Sequence, residues 1–379
     1  MALGTQNEKG KNIPMNYFSA LIKPASSLCN MRCKYCFYAD VADSREVPSY
    51  GIMDENTMKC LIDRVLGEVK PPAQVIFAFQ GGEPTVAGLE YFRAFTSYAQ
   101  QRNTTGCEIR YVIQTNGLVL NEDWCRLFQE YSFLVGVSLD GEESLHNFCR
   151  PDAKGEGTYS RVKRSIQLLK QFRVEYNILS VITRQAAKHP QKAFQFYRKN
   201  GYEFVQLIPC LRPLDAQKDG PCDLTPHLYA DFMKRFFQCW FEALQKGEYL
   251  SVRQFDNILM MMQGHPAEQC GMMGKCTPQF VVEADGGVYP CDFYVLDRYQ
   301  CGNVREQGLQ DLARSQGIQR FLQDAEPQHP LCASCRVYGL CGGGCKRYRS
   351  FYASEPGYCP WQDFLYATVD RFATAARMG

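Results

Sequence analysis

Along the first two thirds of the chain, apolar residues fall in short dense runs separated by longer stretches spaced three and four apart. The runs are YFSALI (17–22), VIFAFQ (75–80), IRYVIQ (109–114), FLVGVSL (133–139), VEYNILSVIT (174–183) and FVQLI (204–208). They are rich in Val, Ile, Phe and Tyr, and most are too apolar to keep a wet face, the pattern of buried parallel strands. Between them, residues 54–68, 89–102, 122–130, 158–172 and 187–199 carry helical periodicity, and 226–247 repeats it after the sixth run. Six βα units in series predict a parallel sheet, open or curled toward a barrel, with ligands at the C-terminal ends of its strands. From about residue 265 the texture changes to short Gly-, Pro- and Cys-rich segments, and 361–377 reads as a closing amphipathic helix. A region so poor in apolar runs needs staples, metals being the expected ones.

Charge narrows the partners. The 379 residues carry a net charge of +2, which gives no field to attract nucleic acid or a membrane surface. No run of ~18 apolar residues occurs, and the polar start MALGTQNEKGKNIP lacks a signal-peptide core. The expectation is a cytoplasmic protein with neither a nucleic-acid nor a membrane partner.

Cysteine is the outlier, with 19 residues. In a reducing compartment, clustered thiols are metal ligands or catalytic groups more often than disulfides. Three of them, Cys29, Cys33 and Cys36, stand in CNMRCKYCFY with C-x3-C-x2-C spacing, directly after the first strand. Each iron of a 4Fe-4S cubane takes a soft thiolate, so three leave one iron open for a ligand. Structural zinc takes four protein ligands, and no nearby His or fourth Cys completes this group. Farther on, Cys270, Cys276 and Cys291 run C-x5-C-x14-C, and Cys332, Cys335, Cys341 and Cys345 run C-x2-C-x5-C-x3-C before Cys359. These eight make two full sets of four, either iron–sulfur clusters or, for the C-x2-C knuckle, zinc. The scattered Cys60, Cys107, Cys125, Cys149, Cys210, Cys222, Cys239 and Cys301 read as inert, buried small hydrophobes.

The C-x3-C-x2-C motif with Tyr35 before its third cysteine resembles the radical S-adenosylmethionine superfamily. QGGEPT (80–85), after the second strand, resembles the same family's GGE motif. The resemblance implies a 4Fe-4S cluster on Cys29, Cys33 and Cys36 whose open iron chelates S-adenosyl-L-methionine and cleaves it to a 5′-deoxyadenosyl radical. It implies cofactor contacts at Tyr35, Gly81, Gly82, Glu83, Ser138, Arg150 and Leu211. The two glycines would let the backbone approach the ligand, and Glu83 would accept from its ammonium.

The C-terminal cysteines, with Gly286 ahead of Cys291 and the segment CASCRVYGLCGGGC (332–345), resemble a SPASM domain with two auxiliary 4Fe-4S clusters. By that match Cys270, Cys276, Cys291 and Cys345 hold one cluster, and Cys332, Cys335, Cys341 and Cys359 the other, making three clusters in all. The implied fold is α/β: a partial (β/α)6 barrel over 1–248, with an extension at 1–16, and a SPASM-type domain with a closing helix over 249–379.

LIKPASSLCNMRCKYCFY, YGIM, FAFQGGEPT, QTNG, FLVGVSLDG, CGMMGKC and QFVVEADGGVYPCDFYVLD narrow the match to the anaerobic sulfatase-maturating enzymes, along the chain from about Ile22 to Cys359. The family oxidises a Cys or Ser of a sulfatase to Cα-formylglycine without oxygen. That implies a sulfatase partner bearing a C/S-x-P/A-x-R motif and an electron donor such as a flavodoxin or ferredoxin. Asp292 is the candidate base, and Tyr38 and Gln114 are candidate substrate contacts. A thioether-forming SPASM peptide maturase is the alternative, disfavoured by the 28 residues ahead of Cys29. A non-enzymatic iron–sulfur electron carrier is a remote one, since a carrier has no use for an open iron beside GGEP.

Overall fold

The computed structural model describes residues 15–214, 220–324 and 326–378; nearly all of the expected N-terminal extension lies outside them. Six strands form the central sheet: Tyr17–Ile22 (β1), Gln74–Phe79 (β2), Glu108–Thr115 (β3), Leu134–Ser138 (β4), Tyr176–Ile182 (β5) and Phe204–Pro209 (β6). All pair in parallel with their sequence neighbours. Their connections carry Phe37–Asp43 (α1), Glu55–Glu68 (α2), Leu89–Arg102 (α3), Glu122–Glu130 (α4), Glu143–Cys149 (α5), Tyr159–Gln171 (α6), Arg184–Ala187 (α7) and Pro190–Lys199 (α8); Pro226–Leu244 (α9) follows β6. The helix expected at 187–199 is broken because Pro190 has no N–H to continue a helix from α7, so it opens α8 instead.

The sheet is wider than the six strands the hydrophobic runs predict. Ser251–Val252 (β7) adds in parallel to β6. On the other side Phe280–Val282 (β8) adds in parallel to β1, followed by antiparallel Gly287–Tyr289 (β9) and Gly302–Asn303 (β10). The order is β10-β9-β8-β1-β2-β3-β4-β5-β6-β7, an open sheet whose edges are β10 and β7. The Cys-rich segment therefore shares the sheet of the βα units. Arg253–Met262 (α10), Leu309–Ala313 (α11), Gln316–Gln323 (α12), Arg349–Tyr352 (α13) and Pro360–Ala375 (α14) complete the described helices. None is long and apolar enough to cross a membrane.

Strands β1 and β2 alternate half-buried and buried positions rather than being buried on both faces. The buried set meets the helices: Phe79 stands 4.9 Å from both Phe92 and Phe95 of α3, and Phe77 5.1 Å from Phe95, ring centre to ring centre. The other face carries Ser19, Gln80 and Gln114, half-buried. Far along the chain, α14 closes on α9 and α10 through Phe237, whose ring lies 4.4 Å from Phe372 and 5.5 Å from Phe255.

Phe237 is wholly buried at this seam. Phe237→Ala should lower stability by about 3–5 kcal/mol, read as a fall in the urea midpoint of the anaerobic protein.

Candidate functional site

Register builds the first part of the site. Ile22 lies opposite both Phe79 and Val282, and Phe79 opposite Ile113. One position beyond, Glu283, Lys23, Gln80 and Gln114 form a polar row across the C-terminal ends of β8, β1, β2 and β3. Lys23 N–H donates to the Val282 carbonyl at 2.8 Å and Gln80 N–H to the Ile22 carbonyl at 2.9 Å, which keeps the row aligned. Gln114 donates from Nε2 to Ser138 Oγ at 3.2 Å across Gly136, where a Cβ would stand 2.1 Å from Gln114 Oε1.

The three-cysteine loop follows β1 and is docked on QGGEPT. Gly82 N–H donates to the Ser26 carbonyl and Glu83 N–H to that of Leu28, both at 2.8 Å. A Cβ on Gly82 would sit 2.3 Å from Leu28 O and 2.6 Å from Ser27 C. The close approach that this glycine permits is thus to the cysteine loop's own backbone. Glu83 is buried, and its carboxylate accepts from Thr85 N–H, Thr85 Oγ1, Thr115 Oγ1 and Asn116 N–H at 2.6–3.1 Å. Burial pushes this carboxyl up in pKa even against those four donors.

Cys29, Cys33 and Cys36 lie within electrostatic reach of one another. Asn116 Nδ2 and Arg150 Nη1 point at Cys29 Sγ and Cys33 Sγ, each at 3.8 Å. Burial raises the Cys29 thiol to about 11 and Cys33 to about 12, so a nearby cation is needed to hold them as thiolates. Arg150 is buried and grips Asp140 through Nε at 2.9 Å and Nη2 at 3.3 Å. The same Asp140 accepts from Tyr35 OH and from Val181 N–H at 3.0 Å. His146 anchors this group: its Nδ1 accepts from Asp140 N–H, which leaves Nε2 to donate to Thr158 Oγ1, itself donating to the Arg150 carbonyl. Leu211 lies half-buried two residues past β6.

The later cysteines fall into two groups. Cys291, Cys345, Cys270 and Cys276 are mutual neighbours, and a Cβ on Gly271 would stand 3.0 Å from Cys345 Cβ. Cys332, Cys335, Cys341 and Cys359 line a single cavity with His329 and Trp361. Both sets suit soft metals in a wide site; among the described residues no three His, Cys, Asp or Glu close tightly enough for a single ion. Of the scattered thiols, Cys60 and Cys239 are only half-buried and the other six are buried.

Asp292, the residue after Cys291, bridges the two halves of the site. Its Oδ1 accepts from Lys23 Nζ at 2.5 Å and its Oδ2 from Gln80 Nε2 at 2.7 Å. Lys23 is wholly buried, its ammonium 3.7 Å from the centre of the Tyr38 ring. Tyr38, expected as a substrate contact, is 2% exposed and donates its hydroxyl to Glu283, which also pairs with Arg45 at 2.8 Å. Against desolvation, which alone would raise it, Lys23 and Arg45 hold the Glu283 carboxyl below the usual range. Lys23, Gln80, Asn116, Asp140 and Glu283 were not assigned from sequence. The available signal was a polar residue closing each apolar run, as in LIKP, FAFQ and SLD.

Two outcomes follow. Gly82→Ala forces the cysteine loop off its support, so reconstituted protein should lose the iron and sulfide of the N-terminal site while keeping those of the C-terminal groups. Burial first, then the Arg150 charge, lowers His146 to about 4 from its ordinary 6.5, so the folded state holds it neutral where the unfolded state protonates. Its contribution to stability is whole above pH 6.5 and declines toward pH 4, by at most about 1.4 kcal/mol per unit. His146→Gln should flatten that slope in denaturation midpoints measured across this range.

Residues 24–196 match the radical SAM superfamily model and residues 270–336 an iron–sulfur cluster-binding domain. A cysteine-type anaerobic sulfatase-maturating enzyme of Clostridium novyi is 40% identical over 88% of this chain and 89% of its own. The enzyme of the same description from Clostridium perfringens is 41% identical over 87% and 89%. The structure of native anSMEcpe with bound AdoMet and Kp18Cys peptide superposes with a TM-score of 0.88 at 37% identity, over 96% of this chain and 100% of that one. With likeness on that scale running through both cysteine regions and the sheet between them, the chain belongs to the anaerobic sulfatase-maturating enzymes of the radical SAM superfamily.

Proposed function

We propose that this protein oxidises a cysteinyl side chain of a sulfatase to Cα-formylglycine, without oxygen and with S-adenosyl-L-methionine as the cleaved cofactor. The observation that carries the reading is the reach of Asp292, from beside Cys291 to Lys23 and Gln80 at the ends of β1 and β2. A carboxylate is thereby fixed between the three-cysteine loop and a four-cysteine group, where a substrate thiol meets base, oxidant and electron sink together. The division into a βα unit to residue 248 and a Cys-rich unit from 249 belongs to the same reading.

Cys29, Cys33 and Cys36 would hold the cluster that binds the cofactor; Cys270, Cys276, Cys291 and Cys345 a second cluster; Cys332, Cys335, Cys341 and Cys359 a third. When bound, these groups supply one-electron chemistry: a hydrogen-atom abstractor at one end and an electron sink at the other. The chain supplies position and proton management. Asp292 takes the proton of the substrate thiol, and Lys23 and Gln80 hold its two oxygens in place at the strand ends. Tyr35, Gly81, Gly82, Glu83, Ser138, Arg150 and Leu211 are assigned to the cofactor. In this assignment Glu83 and Arg150 act chiefly by fixing the loops around the cofactor, since their charged groups are taken up by protein partners. Gln114 faces the substrate, and Tyr38 orients Lys23. Water then hydrolyses the thioaldehyde, its oxygen replacing the sulfur, which departs as hydrogen sulfide and leaves the aldehyde. The substrate is an extended segment bearing C/S-x-P/A-x-R, and turnover draws on a protein electron donor in the reducing cytoplasm.

Anaerobically reconstituted protein, given a reductant, S-adenosylmethionine and a C-x-P-x-R peptide, should convert CH2–SH to CHO in step with 5′-deoxyadenosine, followed by mass spectrometry and chromatography. Deoxyadenosine without peptide change would remove the sulfatase assignment. Asp292→Asn should lower aldehyde formation by about 10²–10⁴-fold while deoxyadenosine continues to form.

A further inference from the structure

A second groove, of about 520 Å³, opens on the helical side of the sheet between α5 and the α7–α8 junction. Asp140 and Ser180 lie along it, and Phe148, Lys188 and Lys192 are on its rim. Phe148 is 38% exposed, and Lys34 Nζ sits 3.5 Å above its ring. Lys34 belongs to the three-cysteine loop, between Cys33 and Cys36, and this loop is tied to the end of α5 and the segment after it by Lys34 N–H to Cys149 O at 3.0 Å and Arg32 N–H to Pro151 O at 2.8 Å. Arg32, Lys34, Lys188 and Lys192 are all exposed. Among the described residues none of the four forms an ion pair with a carboxylate. Of the acids nearby, Asp140 is held by Arg150 and Asp152 by Arg161, which leaves Glu142 on the groove, Glu143 exposed at the start of α5 and Glu156 exposed beyond it.

We propose that this face, centred on Phe148 and ringed by Arg32, Lys34, Lys188 and Lys192, docks an acidic one-electron donor protein. The assignment rests on the radical chemistry proposed above, which consumes one electron at the group held by Cys29, Cys33 and Cys36; the donor is oxidised by that one electron. Two features favour a donor over another occupant. Cations without carboxylate partners around an exposed aromatic, Arg32 held by the Cys29 and Met31 carbonyls and Lys34 by the Phe148 ring, match the small, charge-steered contacts of electron-transfer partners. The route inward is also short: from Asp140 on the groove, Arg150 Nε is 2.9 Å away and Arg150 Nη1 reaches Cys33 Sγ at 3.8 Å. The peptide-facing row at Lys23, Gln80 and Gln114 projects from the opposite face of the sheet, so donor and substrate need not compete.

The test uses reconstituted holoenzyme and a reduced acidic flavodoxin, with dithionite as the small-reductant control. Stopped-flow absorbance follows cluster reduction, and flavin fluorescence follows binding. Lys188→Glu/Lys192→Glu should slow reduction by flavodoxin at low salt by about tenfold or more. Flavodoxin binding should weaken in step, and reduction by dithionite should stay unchanged. Raising ionic strength should bring wild type and variant together. An unchanged flavodoxin rate, equal losses with both reductants, or loss of peptide binding in place of flavodoxin binding would overturn the docking face. If wild-type enzyme reduced by dithionite fails to cleave S-adenosylmethionine, the proposed function falls and this face with it.

Discussion

The buried pair between Lys23 and Asp292 is the constraint on which the rest of the site depends. An ammonium with no exposure is stable only if its charge is met on every side, and here a carboxylate and an aromatic face meet it. The aromatic ring is in turn fixed through its hydroxyl by Glu283, and Glu283 by Arg45. Removing one member of such a set strands its partner's charge at a cost of about 3–5 kcal/mol. The chain reaction matters because the members come from different places: the end of β1, the start of α1, the loop after α1, the end of β8 and the turn after Cys291. The loop with Cys29 leaves β1 just beyond Lys23, so this pair, beside the β1–β8 ladder, ties that loop to the turn after Cys291.

A second layer of the same logic surrounds the three-cysteine loop. Burial would keep the Cys29 and Cys33 thiols protonated, and the loop's shape is held by backbone hydrogen bonds from Gly82 and Glu83 and by Arg150 on Asp140. The scaffold around the three sulfurs is thus built from groups whose hydrogen bonds are met within the protein.

Much of this was legible in the chain. The strand runs were placed within a residue or two, because β-branched and aromatic density marks buried strands whatever their partners. Helices α2, α3, α4 and α6 were equally plain from their period. What was lost was short or non-local. Helices α1 and α5 span too few residues for a period to show, and β7 and β10 have two residues each. Strand β8 holds only Phe280, Val281 and Val282, and nothing in three apolar residues says they will pair with a strand some 260 positions earlier. At the site, cysteine spacing identified the metal-binding chemistry, but the partners of charged groups could not be read. Glu83 is named by its motif and Arg150 and Tyr38 by resemblance alone, and the hydrogen-bond partners of all three emerge only when distant strand ends are set side by side.

The open sheet ends on both sides in strands of two residues, Gly302–Asn303 and Ser251–Val252. An exposed ladder edge is a template onto which any extended polypeptide can add itself as a further strand. With two residues per edge there is almost no ladder to join, so a passing polypeptide gains no foothold by strand addition. The long sheet can therefore stay open without becoming a seed for aggregation.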